Sequence, residues 1–335
     1  MLSQISKHVA SLTEGEIVEE SDLGSIRRVT ADNLAILNGL SIKRLLINPG
    51  AMRTPHWHAN ANELTYCVSG TALVSVLDTG SQFSSFVVRT GDMFHIDSGS
   101  LHHIENIGND TAEFIITFRH ERPEDFGLGA AFGAMTDAVL GNTYDLPASD
   151  FAAIRGSTTD RPLAARDGDP DVPATAYFDD PHKFSVEAMT PPVSMAVGNN
   201  RTARLQYWPA LKDLSMYSLR IREDGMREPH WHPITAELGY VDRGAARMTV
   251  MIPAASLTPG TCGRVTCTSS PAPTPTTSRS STPRRCTSAS SSISPPPVTS
   301  AIGHQPALTP AKCSRQRLTP TSTTCPTSRS PKPTR

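Results

Sequence analysis

The stretch G-A-M-R-T-P-H-W-H-A-N-A-N-E, residues 50–63, decides how this chain is read, because it recurs as D-G-M-R-E-P-H-W-H-P-I-T-A-E at residues 224–237. Each copy holds His-x-His, a Glu five residues after the second His, and an Arg three residues before the first. The copies lie 174 residues apart (230 − 56). A duplicated set of ligand-type residues implies two related domains built around metal sites.

On a strand, side chains alternate faces, so His56 and His58 point one way and Trp57 the other. Two imidazoles about 7 Å apart along the backbone can converge on one ion. Glu63 then enters from the next strand after a short turn, and residues 64–70 and 71–77 continue as strands. A fourth ligand follows in G-D-M-F-H-I-D-S-G-S-L-H-H-I-E-N, residues 91–106, where Gly99 turns the chain and His102 comes three residues later. Three imidazoles and a carboxylate suit Mn, Fe, Co, Ni or Zn better than Ca or Mg, and leave coordination positions for a substrate. A lone His-x-His is more often a surface or core pair; the full set, half of it repeated, points to metal. The second copy supplies His230, His232 and Glu237. His95 reads as a pocket or packing residue, and His103 faces away from the site. Cys67 reads as a small core residue, and Trp57, Phe126 and Trp231 as core or pocket wall.

The pattern Gly50-x5-His56-x-His58-x4-Glu63-x6-Gly70, then Gly91-x7-Gly99-x2-His102-x3-Asn106, resembles the two motifs of the cupin superfamily. With an Arg before each His-Trp-His, the duplicated form resembles the bicupin oxalate decarboxylases, over residues from about 24 to 257. The resemblance implies an all-β fold of two jelly-roll β-barrels. It also implies Mn- and dioxygen-dependent cleavage of oxalate to formate and carbon dioxide. Cupins host many activities, so oxalate oxidase and a non-catalytic bicupin that binds a sugar or an acid stay open. The decarboxylase chemistry needs a lid carboxylate that moves a proton. The matching stretch here is His120-Glu-Arg-Pro-Glu-Asp-Phe-Gly, which makes Glu124 the best positional candidate, with Glu121 and Asp125 behind it. The Ser-Glu-Asn-Ser type of lid is not present. Arg53 is expected to pair with a substrate carboxylate through its planar fork, and Arg227 is its counterpart. Such proteins commonly form larger rings, so a homo-oligomer is possible.

The formal net charge of −1 hides a split. Residues 258–335 contain no Asp, Glu or aromatic residue but ten Lys and Arg, so the rest carries 21 basic (31 − 10) against 32 acidic residues. Five of the six cysteines lie there too. A chain so poor in apolar residues cannot offset its ordering entropy and is expected to be disordered. A basic Ser/Pro-rich tail ordinarily suggests nucleic acid or a membrane, but this one begins inside the second barrel. Neither partner is expected. Synonymous codons exist for Thr258 onward whose one-base-shifted frame reads D-T-W-N-L-R-P-G-D-V-Y-F-I-P-R-A-Y-P-H-H-I-E, close to residues 91–105 and in the same register. The tail thus reads as a frameshift product after about residue 257. The second barrel, left truncated and with three ligands, is expected to promote aggregation.

The expected organisation is an arm or short helix over 1–23, a first barrel over 24–155, a linker over 156–183, an incomplete second barrel over 184–257 and the tail over 258–335. A helix is expected over 129–140, ending at Gly141, and a second one starting near 147. No apolar run of membrane-crossing length occurs, and the start has no signal-like apolar segment, so an unexported, cytoplasmic protein is expected.

Overall fold

A computed structural model describes residues 6–78 and 81–252, and beyond them the strand backbones Ser256–Cys262, Thr266–Ser270, Thr276–Ser280 and Cys286–Ile293. Two antiparallel sheets form the first barrel. One runs in the order Lys183–Phe184, Met93–Ile96, Glu63–Ser69, Ala112–Phe118, Ser41–Ile47, Gly24–Val29, Glu16–Ser21. The other runs Asp125–Gly127, Ala51–His58, Leu101–Asn106, Thr71–Leu77, Phe83–Arg89, with Leu163–Ala165 also paired to Ala51–His58. The apolar faces of these strands meet inside, where Phe86, Phe94, Phe114 and Phe118 are fully buried. Each such ring stabilises the barrel by roughly 1.5–3 kcal/mol. Gly70 joins Glu63–Ser69 to Thr71–Leu77 at φ +95°, where a Cβ would lie 2.7 Å from the Ala112 Cα. A side chain at that turn would be strained in backbone and blocked in space.

The second barrel repeats the first along the 174-residue offset. Gly24–Val29 becomes Gly198–Ala203, and Glu63–Ser69 becomes Glu237–Arg243. The repeat continues into the segment read as a disordered tail. Thr276–Ser280 pairs with Met226–His230 as Leu101–Asn106 pairs with Ala51–His58, and Cys286–Ile293 lies between Leu214–Ile221 and Glu237–Arg243. Four strand backbones are described in the segment expected to be a disordered tail; the rest of that segment lies outside the described residues. A ladder needs only backbone N–H and C=O groups, so Ser- and Thr-rich chain can fill a place in a sheet by backbone pairing alone.

Among residues 6–23, where an arm or short helix is expected, a 3-10 turn at Leu12–Glu14 lies between two strands. Glu16–Ser21 forms a hairpin with Gly24–Val29, and Val9–Ser11 pairs with Thr266–Ser270 of the second barrel. Reciprocally, Lys183–Phe184, just ahead of the second barrel, pairs with Met93–Ile96 of the first. Each barrel's leading strand thus docks on the other barrel. The 156–183 segment is likewise no loose linker, since Leu163–Ala165 completes the edge of the ligand-bearing strand. The expected helix at 129–140 is two, Leu128–Gly133 and Asp137–Tyr144. Thr136 caps the second by accepting from Val139 N, and a cap in mid-segment divides it. The expected second helix near 147 is a single 3-10 turn, Ala148–Phe151.

His182 clamps the crossing strand. Its Nδ1 lies 2.8 Å from Asp180 Oδ1 and its Nε2 2.7 Å from Asp78 Oδ2, and its ring stacks on Phe86. The bond to Asp180, with Asp78 behind it, raises the His182 pKa above its ordinary value of 6.5 despite burial. A raised histidine contributes stability that is complete below the unfolded-state pKa and fades as pH climbs through the folded one. Urea unfolding of the wild type is therefore expected to show stability falling as pH rises above about 6.5, and His182→Phe is expected to flatten that decline.

Candidate metal centre

Strand Ala51–His58 carries His56 and His58 inward, the neighbouring Leu101–Asn106 carries His102 directly opposite His56, and Glu63 opens the strand of the facing sheet. One ligand atom from each of the four residues lies within 4.8 Å of the others, and all four side chains are buried. The ring centroids of His56, His58 and His102 are 4.2–5.2 Å apart. Each ring is oriented through Nδ1: His56 to Thr54 O at 2.8 Å, His58 to Asp125 Oδ1 at 2.8 Å, His102 to Ser100 O at 3.0 Å. Those oxygens accept, so each Nδ1 carries a hydrogen and each Nε2 is turned to the centre, where a ring that gives up its second hydrogen offers an ion a lone pair. Burial, with Arg53 behind it, holds the His56 pKa well below 6.5, which keeps that ring neutral. Burial alone would raise the Glu63 pKa; the facing His102 and His58 outweigh it and hold Glu63 ionised. Thr65 Oγ1 donates to the other Glu63 oxygen at 2.6 Å.

The donor set fits a transition ion. Among the described residues, buried His102 Nε2 has no hydrogen-bond partner and lies 3.5 Å from Glu63 Oε2. A buried nitrogen lone pair facing a carboxylate is costly unless a cation lies between them.

Around this set stands a charged layer that spacing alone does not show. Arg53 is buried and its Nη2 reaches Asp125 Oδ2 at 3.3 Å. Strict alternation would turn Arg53 away from His56, three residues on. A bulge corrects this: Thr54 and Pro55 together oppose His103, so the phase slips and both face inward. Lys43, not singled out from the sequence, donates to Asp125 Oδ2 at 2.5 Å. Its signal was its alternation with Leu45 and Ile47, which puts it on the inner face of Ser41–Ile47. Glu124 is exposed, with its backbone held by Ala59 N and Asn60 Oδ1, while Asp125 is the acid that reaches the site. Glu121 accepts from Gly39 N instead. Trp57 stacks on Phe126 at 5.6 Å on the outer face; Phe126 and Trp231 are exposed, not core.

The second copy reproduces the local geometry. His230 and His232 have ring centroids 5.2 Å apart at 82°, against 5.0 Å and 83° for His56 and His58. His232 Nε2 lies 2.7 Å from Glu237 Oε2, and His230 Nδ1 is held by Glu228 O. His230 pairs in register with Thr276, where His56 pairs with His102. The fourth ligand position is thus a Thr. Arg227 is exposed, unlike Arg53. Thr276→His is expected to tighten Mn(II) binding at this site by about tenfold or more, each tenfold being about 1.4 kcal/mol, in calorimetric titration.

The chain belongs to the cupin family: residues 11–150 and 186–285 match the family model described as Cupin. It is a bicupin, and the relatives it resembles include oxalate decarboxylases. It is 27% identical to oxalate decarboxylase OxdC of Bacillus subtilis over 68% of this chain and 60% of that protein. It is 32% identical to germin-like protein 1-2 of Oryza sativa subsp. japonica over 35% of this chain and 54% of that one. The chain spans about 60% of the length of the oxalate decarboxylase it matches. A solved structure of Bacillus subtilis oxalate decarboxylase at pH 4.6 superposes with a TM-score of 0.77 at 21% identity, over 85% of this chain and 75% of that one. Another, with the same TM-score and identity, over 85% of this chain and 76% of that one, is described by its Mn(II) centres. No helix among the described residues is long and apolar enough to cross a membrane.

Proposed function

We propose that the first barrel is a metal-dependent site for a small dicarboxylate, with oxalate cleaved to formate and carbon dioxide. The observation that carries this reading is the convergence of three imidazoles and a carboxylate beside two buried cations, Arg53 and Lys43. His56, His58, His102 and Glu63 would hold the ion, Mn by likeness to the relatives, with Fe, Co, Ni or Zn as alternatives. When bound, such an ion polarises a coordinated carboxylate and, with dioxygen as co-catalyst, supplies the redox step. Arg53 orients the substrate. Cleavage of oxalate dianion consumes one proton to give formate and carbon dioxide. Asp125 is unsuited to deliver it: burial would raise its pKa, but Lys43, His58 and Arg53 hold it far below the ordinary carboxylate range. Glu124, on the turn beside His58, is the proton carrier on this reading.

Formate and hydrogen peroxide assays on Mn-loaded protein in air test the function. Formate is expected; peroxide without formate would make the protein an oxalate oxidase, and metal retention with neither product would make it a binding bicupin. Glu124→Gln is expected to lower formate release by about 100-fold with metal content unchanged, and an unchanged rate would remove Glu124 from the role. In the second barrel, His230, His232 and Glu237 are a partial metal set, and Arg227 a weaker anion contact. The Thr at position 276 is the residue that the frameshift reading replaces by His. Resequencing across codon 258 tests that reading, and a single intact frame would end it. Self-association is part of the same proposal, through exposed Met135, Val139 and Leu146.

A further inference from the structure

We propose that Lys43 is a specificity-determining residue that makes the first-barrel cavity select a second carboxylate; this rests on the dicarboxylate reading above. Lys43 is 5% exposed and its Nζ sits 4.7 Å from the centre of the Phe118 ring, which walls it off from solvent. It lines one cavity with Arg53, His56, His58 and Glu63. Among the described residues its acceptor is Asp125 Oδ2, the same oxygen that Arg53 Nη2 approaches. One carboxylate oxygen therefore faces two cations, and the ammonium, with three hydrogens to donate, has capacity left for another acceptor.

A charge count points the same way. Glu63 and Asp125 balance Lys43 and Arg53, and the three imidazoles add nothing when neutral. A divalent ion leaves the cavity two positive charges in excess, and a dianion restores balance where a monoanion does not. In a low-dielectric site that difference is large. One carboxylate of such a ligand would meet the metal, and the other would lie between the Lys43 and Arg53 donors. A monocarboxylate product such as formate lacks the second contact and leaves more readily. The second barrel has Tyr217 at the position 174 residues after Lys43, so this selectivity belongs to the first barrel alone.

Binding of oxalate, malonate, formate and acetate to Mn(II)-loaded full-length protein, followed by calorimetry and by the Mn(II) resonance, tests the proposal. The wild type is expected to prefer diacids. Lys43→Met is expected to weaken oxalate by about 30-fold, the worth of a charged hydrogen bond, while formate changes less than about threefold and the metal stays bound. Lys43→Arg, which keeps the charge should the Met variant fold poorly, is expected to recover most of the preference. Equal weakening of mono- and diacids, or an unchanged preference in Lys43→Met, would overturn the assignment, as would a wild type without diacid preference. A wild type that prefers diacids through Lys43 yet forms no formate would leave this inference standing and remove the decarboxylase reading instead.

Discussion

His102→Ala is expected to strip the first barrel of its ion, lowering Mn(II) affinity there by more than about 100-fold. Losing an outer partner of a ligating histidine already costs about 10–100-fold, and His102 would be a direct ligand. It is also the ligand contributed by the second sequence motif, brought opposite His56 by strand pairing. Without it the site keeps His56, His58 and Glu63, the same three-residue set as His230, His232 and Glu237. The chain therefore contains its own control. His102→Ala makes the first site resemble the second, and Thr276→His makes the second resemble the first. Metal analysis after dialysis reads both; full retention in His102→Ala would place the ion elsewhere.

The second large effect is expected from Asp125→Ala, a loss of about 3–5 kcal/mol in unfolding free energy. Asp125 is the shared anion for Lys43 and Arg53 and the acceptor for His58 Nδ1–H. Its removal takes the paired anion from two buried cations, which costs far more than losing an exposed ion pair. The His58 ring also loses its orienting bond, so metal affinity should fall with stability. Because its folded-state pKa is depressed, the contribution of Asp125 is present above the ordinary carboxylate pKa and disappears only as pH drops far below it. Asp125→Asn, which keeps an oxygen for His58 but no charge, should lose stability and retain more of the metal. Denaturant unfolding of both variants checks the pair, and an Asp125→Ala protein as stable as wild type would mean that Lys43 and Arg53 are not held as described.

The four candidate ligands were legible because alternation and turn spacing are local. His56 and His58 share a strand face, and Gly99 turns the chain just ahead of His102. The duplication was legible for the same reason. What pattern reading could not supply depends on tertiary pairing. The inward direction of Arg53 comes from a bulge at Thr54 and Pro55 that alternation does not anticipate. Lys43 reads as a solvated strand residue until its partner acid is known, and only the fold shows that Asp125, next to Glu124, reaches the His58 ring. The docking of Val9–Ser11 on the second barrel joins residues more than 250 positions apart, a contact carried by backbone groups that leave no side-chain signature.

Crystals soaked in Mn(II) and measured for anomalous scattering test the centre most directly. A peak is expected at roughly 2.0–2.3 Å from His56 Nε2, His58 Nε2, His102 Nε2 and a Glu63 oxygen together. A first barrel with no peak, or a peak bound by other side chains, would contradict it.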